Sequence, residues 1–122
     1  MICRVIVASI ATTRYHYNMK TTRIEQIRKR IERIKAELVA IDEMRPGSLT
    51  EQFKDPDAQR GAYYQLNYWQ GGRTRTDYVS RDFVRDVRRQ LANYKRFKAL
   101  TAEWTDLSIE QSRLNMKSAS KT

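Results

Sequence analysis

The sequence predicts a small α+β fold, mainly α, in which two long antiparallel, coiled-coil-like helices are joined by a loop and a two-stranded β-hairpin. Three observations predict it. An isoleucine seam recurs at helical spacing from Ile24 to Ile41, two Tyr/Trp-rich segments meet across Gly71-Gly72, and a second helical pattern opens after Ser80. At 122 residues, 31% of them charged, the chain has material for one domain with a modest core.

The first helix is expected over Thr22 to Met44. Ile24, Ile27, Ile31, Ile34, Leu38 and Ile41 follow one another at spacings of 3, 4, 3, 4 and 3, the a/d seam of a coiled coil or helical hairpin. Thr22 with Glu25 has the form of a capping box, and Pro46 followed by Gly47 sets the end. The charges that flank the seam, Arg23, Lys29 and Arg30 against Glu25, Glu32 and Glu37 among them, read as a solvated face. Residues 45–61, RPGSLTEQFKDPDAQRG, carry both prolines and two of the four glycines. They read as a loop with one helical turn around Leu49 to Phe53.

Ala62–Trp69 and Arg73–Val79 read as strands joined by a two-residue hairpin turn. With that turn, Tyr64, Leu66 and Tyr68 share a face with Arg75 and Val79, and Tyr63 and Trp69 share the other with Thr74, Thr76 and Tyr78. A three-residue loop exchanges the faces of the second strand, and composition does not choose between the two. Ser80 reads as the N-cap with Asp82 in the first turn. The second helix then passes through Val84, Val87, Leu91, Tyr94, Phe97, Leu100, Trp104 and Leu107, weakens to Leu114, and is the longer of the two. The domain reading is thus residues 22–115, with 116–122 a disordered tail and 1–21 an extension that is either unstructured or upstream of a true start at Met19.

Composition excludes several function classes. Cys3 and His16 are the only residues of their types, so one chain builds neither a disulfide framework nor a zinc cage of the usual ligands. The apolar run from Val5 to Ala11 is far shorter than the roughly 20 residues that span a bilayer. It also imitates a signal peptide poorly, and the isoleucine seam is too narrow for a lipid-binding face. No Ser/His/Asp set, no Gly-rich phosphate loop and no carboxylate cluster for two metal ions is present. The expectation is a cytoplasmic protein that is not an enzyme, with no cofactor, no metal, no small-molecule substrate and no membrane contact.

What remains is charge. The net charge is +10, and the hairpin and second helix carry Arg73, Arg75, Arg81, Arg85, Arg88, Arg89, Arg96 and Lys98, with Lys95 beside them. Arginine and lysine recurring on a folded element neutralise phosphates and release condensed counterions, so these eight residues are the expected nucleic-acid contacts. DNA is favoured over RNA. A solvated charged face competes with that reading. So does a coiled-coil adaptor whose positive charge meets an acidic protein partner. The hairpin aromatics Tyr63, Tyr64, Tyr68 and Trp69 have two readings as well: they stack unpaired bases, or they fix a marginal hairpin to its helices. The second is favoured. The seam and the longer second helix imply a homodimer.

The runs RPGSLTEQ, GAYYQLNYWQGGRTRTDYV and VRRQLANYKRFKALTAEWTDLSIE resemble a family of short bacterial and archaeal proteins of unknown function, often encoded near mobile elements or transposases. The likeness covers roughly residues 24–115. It implies a transposase as a protein partner and supports the architecture more than any activity. Many members of that family carry a C-x4-C-x-C cluster between the RPGSL element and the GxYY strand, whereas this chain has FKDPDAQRG there and no thiolate to bind a metal.

Overall fold

A computed structural model describes residues 19–120 of the chain, with side chains from Thr22 onward. The extension expected over 1–21 therefore falls outside the described residues except for the backbone of its last three. Helix α1 spans Met19–Val39, strand β1 Ser48–Asp55, β2 Arg60–Gln70 and β3 Arg73–Val79. After a 3-10 turn at Arg81–Phe83, helix α2 runs over Val84–Ser120.

The predicted fold class is overturned on two points. The sheet has three strands, in the order β1-β2-β3 with both pairs antiparallel, where composition predicts a two-stranded hairpin. The segment read as a loop with a helical turn is β1. Nothing in SLTEQFKD marks a strand locally; its extended state comes from pairing, with Leu49 opposite Leu66 and Phe53 opposite Ala62, a tertiary gain that outweighs weak propensity.

The helices are also not a matched long pair. The 3-10 turn and α2 make one helical run of 40 residues, while α1 has 21 and stops at Val39 rather than Met44. The Ile41 amide turns back to the Leu38 carbonyl at 3.1 Å. Asp42 and Glu43 then accept hydrogen bonds from Arg89, Gln90 and Asn93 of α2. Those partners replace the next helical turn, and Ile41 leaves the seam.

The described chain divides into two compact units, one of α1 to Glu37 with α2 from Thr101 onward, the other Leu38–Leu100. In the first, Ile27 and Ile34 are fully buried and Ile31 nearly so, each burial contributing roughly 1.5–3 kcal/mol. Bidentate pairs Arg23–Glu110 and Arg30–Glu103 flank them at 2.6–2.8 Å, and Lys35 lies 5.5 Å over the Trp104 ring. The pairings run in opposite sequence directions. The seam is therefore covered within the chain and does not supply an exposed face for a second copy.

In the second unit the register is that of the two-residue turn, Tyr68 opposite Arg75 and Tyr64 opposite Val79. Gly71 and Gly72 have φ of 62° and 81°, the pair of positive values that a type I′ hairpin requires. One sheet face carries Leu49, Tyr64, Leu66, Tyr68, Asp77 and Val79. This is the covered face: Leu66 is fully buried, as is most of Val87 on α2. The other face carries Gln52, Tyr63, Gln65, Asn67, Trp69, Thr74, Thr76 and Tyr78.

Candidate nucleic-acid interface

The eight predicted contact residues do not form one surface. Arg81 stands in the 3-10 turn, and Arg85 and Arg88 follow on α2 at spacings of four and three, one helical stripe that Lys95 continues two turns further on. All four are exposed. Among the described residues no carboxylate pairs with Arg81, Arg85 or Arg88. Arg88 and Lys95 line a shallow groove with Gly47, Ser48, Leu49, Leu91 and Ala92.

Arg89, one residue on, points elsewhere. Its guanidinium grips both carboxylate oxygens of Asp42 at 2.7 and 2.8 Å and reaches Glu43 at 3.5 Å. Asn93 donates to Asp42 and to the Glu43 carbonyl, each at 2.8 Å, and Gln90 to the Glu43 carboxylate at 3.3 Å. This arginine holds the segment between α1 and β1 on α2, so its charge is largely answered inside the chain. Lys98 lies 5.7 Å over the Tyr94 ring, which is stacked on Phe97, and Arg96 also has an intramolecular partner. Arg73 and Arg75 are exposed on β3, opposite Gln70 and Tyr68.

One cluster escapes composition altogether. Arg45 donates to Asp77 at 2.6 Å and lies 4.8 Å over the Tyr68 ring, while Tyr68 donates to the second Asp77 oxygen at 3.2 Å. The Arg45 amide also donates to the Gln90 carbonyl at 3.1 Å. One residue thus joins the covered sheet face to α2. Hydrogen bonds from Arg45, then Tyr68, with the nearby charges of Arg45 and Arg75, hold the Asp77 carboxyl below the usual aspartate range. Gly47 follows with φ of 125°, and a Cβ there would lie 2.5 Å from the Asn67 carbonyl oxygen. The Arg-Pro-Gly triplet was the available signal, since a proline and a glycine in succession mark a backbone held in one conformation.

The family profile described as Domain of unknown function (DUF6788) matches residues 21–89, more than half of the chain. The chain belongs to this family. The matched part of this DUF6788 chain contains the Arg45 cluster, the whole sheet and the stripe from Arg81 to Arg88, and stops inside α2. No curated protein and no solved structure matches the chain. Among the described residues, no three His, Cys, Asp or Glu side chains gather in a way that would hold a metal ion. No described helix is long and apolar enough to cross a membrane.

Proposed function

We propose that this DUF6788 chain is an accessory nucleic-acid-binding protein that holds the phosphate backbone with the arginine stripe of its long helix. The observation that carries this reading is the contrast along one helix: Arg89 is spent on Asp42 and Glu43, whereas Arg81, Arg85 and Arg88 stand exposed with no carboxylate partner among the described residues. A solvated face laced with ion pairs would have neutralised them. Lys95 continues the stripe, Arg73 and Arg75 are further exposed cations on β3, and the net charge of +10 favours a polyanion at long range.

The likeness to proteins encoded near mobile elements supports DNA over RNA, a cytoplasmic setting and a transposase as the protein it works beside. A second copy belongs to the reading through a different face from the isoleucine seam: Trp104, Ile109 and Met116 line an open groove on α2, with Ile109 and Met116 exposed. An adaptor for an acidic protein draws on the same arginines, and the salt response separates the two. Fluorescence anisotropy with an unrelated duplex across a salt series is expected to give a steep negative slope of log K against log salt. Reversal of Arg81, Arg85 and Arg88 to Glu should remove about 3 from that slope, at roughly 0.9 per phosphate contact. Binding that is weak and insensitive to salt would sink the proposal.

A further inference from the structure

The outer face of the sheet is composed unlike the rest of the surface. Reading across the three strands, it presents Gln52, Lys54, Tyr63, Gln65, Asn67, Trp69, Thr74, Thr76 and Tyr78, with Thr50 and Ser48 at one margin. Trp69 is 67% exposed and Tyr78 76%. Aromatics that fix a sheet to its helices lie on the covered side, and Tyr64 and Tyr68 do; Tyr63, Trp69 and Tyr78 lie on the opposite one. The preference for these rings as internal glue therefore fails for three of the hairpin's five aromatic side chains.

Charge divides across the sheet in the same way. The three strand carboxylates, Glu51, Asp55 and Asp77, lie opposite Tyr64, Arg60 and Leu66 and so belong to the covered face. The outer face has no carboxylate in its strands and one cation, Lys54, which lines a shallow recess with Tyr63 and Tyr78. Those two rings are 6.1 Å apart and tilted by 51°. Trp69 is six residues from Tyr63 on the same strand and face, roughly 20 Å at about 3.3 Å per residue. Between the two aromatic stations lie Gln65, Asn67 and Thr76, and Thr74 stands opposite Trp69. Thr76 and Asn67 are bonded to each other at 2.6 Å, while the Gln65 side chain makes no hydrogen bond to another described residue.

From this we infer that the outer sheet face is a stacking platform for unpaired bases, taking single-stranded nucleic acid along β2. The inference rests on the nucleic-acid reading above and adds strandedness and a second surface to it. Exposed aromatic rings on a sheet, spaced by amides and hydroxyls able to meet base edges, provide what single strands offer and duplexes hide. A protein-docking patch would instead present contiguous apolar area at its centre. Here the rings are separated by polar side chains, and the missing carboxylates favour a polyanion.

The test uses the full chain with fluorescein-labelled oligothymidylate, oligouridylate and a mixed-sequence duplex, each read by anisotropy at one salt concentration. Trp69→Ala and Tyr78→Ala remove exposed rings without opening the core, and far-ultraviolet circular dichroism checks the fold. Each is expected to weaken single-strand binding about 5- to 150-fold, the range for one lost stacking contact, and to leave duplex binding within twofold. Trp69→Phe should restore most of the loss and Trp69→Leu should not. Comparison of the two single strands tells DNA from RNA. Single-strand binding unchanged in both alanine variants would overturn the platform while the arginine stripe stands. No binding by the unaltered chain to any of the three would overturn both. Loss of self-association in Trp69→Ala, by sedimentation, with single-strand affinity intact would make this face a contact between copies instead.

Discussion

Arg45 shows how one side chain in a stretch read as loop decides local structure. Its guanidinium meets Asp77 and the Tyr68 ring while its amide meets Gln90. Arg45→Ala would leave Asp77 with only the Tyr68 hydroxyl, and a loss of about 1 kcal/mol is expected for this partly exposed pair, readable as a lower urea midpoint. The depressed carboxyl also gives a pH signature. Because the folded form holds its proton less tightly than the unfolded chain, the stabilisation is present above the ordinary carboxylate value. It fades as pH falls through and below about 4. Asp77→Asn should flatten that part of the stability profile. Gly47→Ala forces a Cβ to 2.5 Å from the Asn67 oxygen at φ of 125°, and should cost about 2 kcal/mol or more.

At the scale of elements, α1 and the C-terminal part of α2 are joined by an isoleucine core and two bidentate pairs. Glu110 and Glu103 are held below their usual range by the guanidiniums of Arg23 and Arg30. Exchanging the charges in Arg30→Glu with Glu103→Arg should recover stability that either single change loses, as a double-mutant cycle by thermal unfolding would show. In the sheet, Leu66→Ala opens the covered face and should cost about 3 kcal/mol, whereas Trp69→Ala on the outer face should leave the midpoint nearly unmoved. The hairpin turn was legible because Gly-Gly is almost a description of its dihedrals. The strand β1 was not, because SLTEQFKD becomes a strand through what it pairs with.

Across the whole molecule, the net charge of +10 sets the kind of partner to expect, and the fold decides which arginines are available to it. Arg88 and Arg89 are neighbours in a basic run that composition cannot divide. One points to solvent and the other into an acidic segment 46 and 47 residues away. Arg89→Glu is accordingly expected to destabilise the chain more than Arg88→Glu, while Arg88→Glu should weaken duplex binding in a properly folded protein. Thermal unfolding and anisotropy on the same two variants check both halves.

Short-range patterns carried what depends on neighbours along the chain: the two helical periodicities, the Gly-Gly turn and the basic character of the segment after Ser80 are all present in consecutive residues. The third strand, the end of α1 at Val39, the burial of the isoleucine seam and the division of aromatics and carboxylates between two sheet faces arise from contacts between residues far apart in sequence. Strand pairing and ion pairing satisfy backbone and charged groups only when a distant partner arrives, so no local pattern could announce them.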